Sequence, residues 1–295
     1  MAALLPDPEA QVELVADAFR AAHNGSAELP LKPGIRPRPN GFIHAMPAYL
    51  VADDVAAIKW VAGYRGNRER GLPYISALIV LNDPSTGLPR AVIDGAEITA
   101  VRTAAASLLC IERFAPRDAR RVAILGCGEQ ARYHARLLTA LRPDLTLVGY
   151  DVHPERIEVL GPGAVAASTA RDAVADADIV VTAGPLLDEP KPPLRRAWLG
   201  ERWLLLPLDY DSYVAADVAA AADLLLCDHL AQFEYYRGLG RFAGWPVPDG
   251  DVLADIPPAD RVLCCNLGVA TLDAAFGDYV FRQAVASGAG RWLPL

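Results

Sequence analysis

The chain has 295 residues, of which 53% are hydrophobic and 22% charged, with a formal net charge of -8. So apolar a chain supports two packed domains and excludes disorder. The acidic balance excludes a nucleic-acid backbone or an anionic lipid surface as the main partner, because both reward an excess of Lys and Arg. Small molecules and other protein chains remain.

The N-terminus MAALLPDPEAQVELVADAF carries acidic residues where a signal peptide needs a basic start, and no apolar run approaches the length of a membrane span. A cytoplasmic protein is expected. Cys110, Cys127, Cys227, Cys264 and Cys265 form no C-x-x-C pair and lie beside no histidine at zinc spacing, so reduced, buried thiols and no metal centre are expected.

In chain order, residues 9–22 place Val12, Leu14, Val15, Ala18 and Phe19 on one helical face. From Phe42 to Ile93, short apolar runs alternate with turn signals, and NDPSTG reads as a hairpin loop between two strands, giving a mainly antiparallel α+β unit. The run ITAVRTAAASLLC, residues 98–110, predicts a helix with Thr99 as N-cap, which puts Arg102 and Thr103 in its first turn. A cation gains nothing from the positive end of a helix, so the placement suits an external anion; the alternative is a pairing with Glu97 or Asp94.

After Arg120 the texture alternates. RVAILG, LTLVGYD, DIVVTAG, WLLLPLD and ADLLLCD read as strands, with helices in EQARYHARLLTAL and TARDAVADA, which indicates a parallel sheet covered on both faces. The last segment, NLGVATLDAAFGDYVFRQAVASG, reads as a long helix returning to the first domain. The fold class is α/β: a Rossmann-type doubly wound NAD(P)-binding domain over 113–267, plus an α+β substrate-binding and dimerisation domain over 1–112 with 268–295 packed back on it.

In VAILGCGEQARYHA, Gly126 and Gly128 follow a predicted strand and open a predicted helix, with Ala131 at the third small position. This is G-x-G-x-x-A in its required context: a tight turn, a close backbone approach for a pyrophosphate, and a helix N-terminus to receive it. Gln130 and Thr182 join the cofactor-binding set. Asp151 ends the second strand, where a carboxylate accepts from the adenosine ribose hydroxyls and repels a 2′-phosphate, favouring NAD(H); NADP(H) stays open because His153 and Arg156 follow closely. Glu129 is an oddity, since a carboxylate beside a pyrophosphate costs energy unless it points to solvent.

The segments MPAYL, IKWVAGYRGNRERGLP, IVLNDPSTGLPRAVIDG, TAVRTAAAS and ILGCGEQA, with a looser match at RVLCCNLGVATLD, resemble the ornithine cyclodeaminase/mu-crystallin family. The resemblance implies a homodimer, an active site between the two domains, and chemistry on amino or imino acids. It implies that Lys59 and Arg102 hold the substrate carboxylate with Arg36 as a third member, for which Arg38 competes. It further implies that Thr103 hydrogen-bonds the cofactor phosphate, and that Asp209 handles the substrate nitrogen, with Asp211 as the competing acid. Hydride transfer to a C=N carbon needs an acid or anion near nitrogen and cations for the carboxylate, which Lys59, Arg102 and Asp209 supply.

Two positions depart from the cyclodeaminase branch: His44 stands where that branch has a glutamate, and Tyr213 where it has a lysine. His44 is a candidate proton donor or a structural residue. The tyrosines after Asp209 and Trp245 either line a substrate site or pack a core. The expectation is therefore an NAD(H)-dependent oxidoreductase of an amino acid or its imine, with catalytic Asp209 and Lys59. The alternatives are an ornithine or lysine cyclodeaminase with internally recycled NAD, or a silent ligand-binding member of the family.

Overall fold

A computed structural model describes residues 2–293. The chain forms two compact units, Met1–Arg102 with Val269–Leu295, and Thr103–Gly268. The division falls at Arg102/Thr103, earlier than the boundary at 112/113 expected from the sequence.

The first unit begins with helix α1 (Pro8–His23), capped by the Asp7 carboxylate, which accepts from the backbone N–H of Ala10 at 2.9 Å. Its apolar stripe buries Val15, Ala18 and Phe19. A six-stranded sheet follows: β1 (Ala27–Glu28), β2 (Gly34–Ile35), β3 (Gly41–Leu50), β4 (Val55–Tyr64), β5 (Ile75–Asn82) and β6 (Pro89–Asp94). The order is β1-β3-β4-β5-β6, with β2 also on β3, and every pairing is antiparallel. The NDPSTG turn joins β5 to β6; the Asp83 carboxylate accepts from the N–H groups of Ser85 and Thr86 and so fixes the loop.

Period-two alternation gives the sheet two faces. Met46, Ala48, Ala57, Lys59, Val61, Ile79 and Leu81 point to the buried one, against which the C-terminal helix (Ala270–Ser287) packs. That helix lies close because residue 277 is glycine; a Cβ there would stand 3.2 Å from Ile79 Cγ2. The opposite face exposes Ile58, Trp60, Leu78 and Val92, which neighbour one another through the pairs Trp60/Leu78, Ile58/Val80 and Val80/Val92.

Helix α2 (Gly95–Phe114) starts earlier than its sequence predicted. Asp94 takes the capping place, accepting from Ala96 N at 2.9 Å, whereas Thr99 is interior and donates its hydroxyl back to Gly95 O at 2.7 Å. Arg102 therefore lies well inside the helix, and the argument from the helix dipole does not apply to it. An alanine-rich helix tolerates the extra turn, and a carboxylate caps it as well as a threonine does.

The second unit is built on an eight-stranded parallel sheet: β7 (Arg121–Leu125), β8 (Thr146–Tyr150), β9 (Val165–Ala166), β10 (Ile179–Thr182), β11 (Trp203–Pro207), β12 (Leu224–Cys227), β13 (Gly250–Asp251) and β14 (Arg261–Cys265). Its order is β13-β12-β14-β11-β10-β7-β8-β9. The chain winds outward from β7 through β8 to β9, then restarts on the other side of β7 with β10, so the strand order reverses between β7 and β10. Helices α3 (Glu129–Leu141), α4 (Ala170–Val174), α5 (Ala216–Ala220) and α6 (Leu230–Gly238) connect the strands. Strand β14 enters between β11 and β12; its run VLCC is wholly buried, and the sequence reading passed over it. All five cysteines are buried thiols. Burial pushes the Cys127 thiol up to about 12, so it stays protonated.

The aromatic segment after Asp209 is core. Tyr210, Phe233, Tyr236, Phe242 and Trp245 are buried together, with the Phe233 and Phe242 rings stacked at 4.2 Å between centroids. Replacing Phe242 by Ala is expected to cost about 3–5 kcal/mol in thermal or urea unfolding, the range for an emptied aromatic core position. A loss under about 1 kcal/mol would assign these rings to a pocket wall instead.

Candidate active site

The first unit concentrates cations on the buried face of its sheet. Lys59 is 1% exposed while its neighbour Trp60 is 52% exposed, because alternation along β4 sends them to opposite faces. The Lys59 ammonium lies 2.8 Å from Oδ1 and 2.7 Å from Oδ2 of Asp273 on the C-terminal helix. Arg102 Nε, from α2, lies 3.4 Å from the same Oδ1. Asp273, rather than Glu97 or Asp94, is thus the internal partner of Arg102. Burial lowers the Lys59 pKa to about 7; Asp273 works against that shift, while Arg102 and Lys32 add to it.

Lys32 and His44 belong to the same region. Lys32 is buried, unlike Arg36 and Arg38, which are exposed. His44 pairs with Gly34 across β2 and β3, and its ring occupies the space a side chain would take there: a Cβ on Gly34 would fall 2.0 Å from His44 Cδ2. The ring also stacks on Phe42, with centroids 4.7 Å apart. Burial, reinforced by the charges of Lys32, Arg36 and Lys59, lowers the His44 pKa to about 4, so the imidazole is neutral at pH 7. Arg38 instead turns its guanidinium to the carbonyl of Pro37 at 2.7 Å.

In the second unit the glycine loop sits where the strand order reverses. Gly126 has φ +96, and a Cβ on it would fall 2.9 Å from the backbone C and O of Ala183, beyond the end of β10, so only glycine fits. No side chain caps α3 at Gly128, which leaves its first N–H groups facing outward for an anion. Ala131 is fully buried, and Gln130 Oε1 is a buried acceptor with no hydrogen-bond partner. The Asp151 carboxylate takes Cys127 N at 2.8 Å and His153 N at 2.9 Å, which holds it at the lip of the loop, and Arg156 Nη1 stands 3.7 Å away. Glu129 is turned to solvent and paired with Arg132, which removes the conflict its position posed. A glycine cradle, an open helix end and a carboxylate past the next strand fit an NAD-type dinucleotide.

Asp209 follows β11 and reaches the carboxyl end of β10. Its Oδ1 accepts from the Thr182 hydroxyl at 2.7 Å and its Oδ2 from Gly184 N at 2.8 Å. The side chain is 1% exposed, and burial raises its pKa to about 7 against the opposing pull of those two donors. Thr182, expected to touch the cofactor, thus has its hydroxyl proton directed to Asp209. The next residue, Tyr210, has φ +61, a left-handed conformation uncommon for a bulky side chain and costing about 1–3 kcal/mol. Its hydroxyl donates to Leu267 O at 2.9 Å, which helps hold the bend. Asp211 differs from Asp209, being tied to Arg241 Nη1 at 3.0 Å and Phe242 N at 2.7 Å.

Two sets of residues therefore assemble. Lys59 and Arg102 meet in the first unit, joined by Lys32, His44 and Asp273. Gly126, Gly128, Gln130, Ala131, Asp151, Thr182 and Asp209 gather along the carboxyl ends of the strands in the second, and Thr103 is half-buried in α2. The sequence reading missed Asp273 and Lys32. A lone Asp in the apolar run GVATLDAAFG was the available signal for the first; nothing local distinguishes the second.

The family model described as "Ornithine cyclodeaminase/mu-crystallin family" matches residues 6–218. Among relatives, the nodulation efficiency protein NfeD of Rhizobium meliloti is 36% identical, over 95% of this chain and 91% of its own length. The alanine dehydrogenase of Archaeoglobus fulgidus is 31% identical over 63% of this chain and 58% of its own. Among solved structures, the Thermococcus litoralis Δ1-pyrroline-2-carboxylate reductase, bound to NADH and L-proline, superposes with a TM-score of 0.85 at 25% identity, covering 98% of this chain and 97% of that one. The chain belongs to the ornithine cyclodeaminase/mu-crystallin family.

Proposed function

We propose that the protein is an NAD(H)-dependent oxidoreductase acting on an amino acid or its imine, exchanging hydride at the substrate α-carbon. The observation that carries this reading is Asp209: a buried carboxyl with a pKa of about 7, held beside the glycine loop at the carboxyl end of the sheet. Its proton is available to a substrate nitrogen near neutral pH. The relatives that reduce pyrroline-2-carboxylate or oxidise alanine support the same chemistry.

In this reading the first unit binds substrate and the second binds the dinucleotide. Lys59 and Arg102, with Lys32 and Arg36 nearby, receive the α-carboxylate. Asp273 opposes the loss of charge that burial imposes on Lys59 and is itself shared with Arg102. Asp209 gives a proton to the imine nitrogen, which makes the carbon more electrophilic, and takes one back in the oxidative direction. Gly126, Gly128, Gln130 and Ala131 shape the pyrophosphate seat, Thr103 donates to a phosphate, Asp151 faces the ribose, and Thr182 orients Asp209. When bound, NADH supplies the hydride. Asp151 selects against a 2′-phosphate, favouring NAD(H) over NADP(H).

The cyclodeaminase alternative requires room for a second, distal ammonium. His44 stands where the cyclodeaminase branch has a glutamate and, being neutral at pH 7, offers such a group no anion. A redox reaction without loss of a distal amine is therefore favoured.

The exposed apolar face formed by Ile58, Trp60, Leu78 and Val92 is assigned to a second copy of the chain, giving a homodimer through the first unit. A cytoplasmic location belongs to the same reading. No helix among the described residues is long and apolar enough to cross a membrane.

Three outcomes are expected. With 2-oxo acids and ammonium, NADH should be consumed faster than NADPH, and kcat/KM should fall as pH rises above about 7. Over that range Lys59 loses the charge that holds the carboxylate and Asp209 loses the proton it donates. Ammonia released from ornithine without net NADH would instead favour the cyclodeaminase. Arg102→Ala should lower kcat/KM by about 10- to 100-fold, the equivalent of a lost charged hydrogen bond, with NADH affinity much less affected. An equal loss of both would place Arg102 on the cofactor. Trp60→Glu should halve the mass seen by light scattering; an unchanged mass would move the interface elsewhere.

A further inference from the structure

Resting on the dinucleotide seat of that reading, we infer that Ser107 and His134 are positioning residues for the cofactor pyrophosphate: their buried hydrogen bond fixes Thr103 on α2 against the open first turn of α3. Ser107 and His134 are each 1% exposed, and the imidazole Nε2 lies 2.9 Å from Ser107 Oγ. The ring Nδ1 lies 2.8 Å from the carbonyl oxygen of Gln130. A carbonyl only accepts, so Nδ1 carries the proton and Nε2 is bare, and the Ser107 hydroxyl donates to it. Burial pushes the His134 pKa down to about 4, which keeps the ring neutral. Donation therefore runs one way, from Ser107 through the imidazole to the Gln130 carbonyl.

Both ends of this chain of bonds lie next to groups assigned to the pyrophosphate. Gln130 is the second residue of α3, whose first-turn N–H groups have no side-chain cap at Gly128 and form the anion seat. Thr103 stands four residues before Ser107, one turn away on the same face of α2. His134 stands four residues after Gln130, one turn along the same face of α3. The phosphate ligands thus come from two helices of one unit, and the Ser107–His134 bond joins those helices one turn from each ligand.

Adhesion alone does not call for such a pair. The helical positions around it are buried and apolar, Ala104 and Leu108 on α2, Ala131, Ala135 and Leu138 on α3. An apolar pair would continue them without the cost of burying a hydroxyl and a ring nitrogen. Apolar contact is non-directional and lets two helices slide and turn, whereas a hydrogen bond to a ring held at both nitrogens fixes their register. The neutral pair leaves the electrostatics of the seat to the helix end.

The test separates cofactor geometry from folding. NAD and adenosine, which shares its nucleoside but has no pyrophosphate, are titrated calorimetrically into the full-length protein, and thermal unfolding is followed on the same samples. Ser107→Ala is expected to weaken NAD at least tenfold and adenosine less than twofold, while Ser107→Thr, which keeps the hydroxyl, binds NAD within threefold of the wild type. The double variant Ser107→Ala/His134→Leu removes both polar partners, so it should regain the thermal stability lost in Ser107→Ala and still bind NAD at least tenfold more weakly. Full NAD affinity in Ser107→Ala, equal losses for NAD and adenosine, or a double variant that recovers affinity together with stability would overturn the proposal. A wild-type chain that binds no NAD would remove the dinucleotide reading itself, an outcome distinct from binding that the variants leave unchanged.

Discussion

The buried contact of Asp273 with Lys59 and Arg102 organises the first unit. A strand, a helix and the C-terminal helix each contribute one side chain to it, so the three elements are held by charge as well as by apolar packing. Burying a lysine is costly, and its attraction to a carboxylate only partly offsets the lost hydration. The lowered pKa of Lys59 records that imbalance. One acid is shared between two cations. In the proposed function the substrate carboxylate is the second anion that this trio receives.

The second unit solves the complementary problem of keeping a proton on a carboxyl near neutral pH. The hydrogen bonds from Thr182 and Gly184 stabilise the charged form of Asp209, but burial outweighs them. The same two donors fix where the carboxyl points, so orientation and acidity are set by different causes. The left-handed bend at Tyr210 turns the chain directly after Asp209, and the aromatic cluster beneath supplies packing to offset its strain. The aromatic residues after Asp209 therefore form the foundation of the bend, with Tyr213 packed over Gly184 at the end of the neighbouring strand.

Much of this was legible in the sequence because the signals are local. G-x-G-x-x-A after a buried strand, alternation on β4, and an acid closing β11 each depend on residues close in sequence. Asp273 was not legible. Its meaning comes from partners on β4 and α2, more than 150 residues away in the chain, and no periodicity announces such a meeting. Lys32 escaped for a similar reason, since proline and glycine around it read as a loop, and only the folded chain shows that it is buried. The start of α2 was misplaced because Thr99 and Asp94 are both competent caps. The choice between them is made by where β6 ends, not by the helix itself. Strand β14 was lost in a segment read for its likeness to the family rather than for its apolar run.

The return of the C-terminal helix to the first unit has a consequence for biosynthesis. Residues 103–268 form a unit continuous in sequence, which can close while still tethered to the ribosome. The opening hundred residues cannot finish, because Lys59 would be dehydrated beside Arg102 without its counter-ion until Asp273 emerges. The sheet of the first unit therefore depends on a helix made long after it, whereas the unit between them is complete in one stretch of chain.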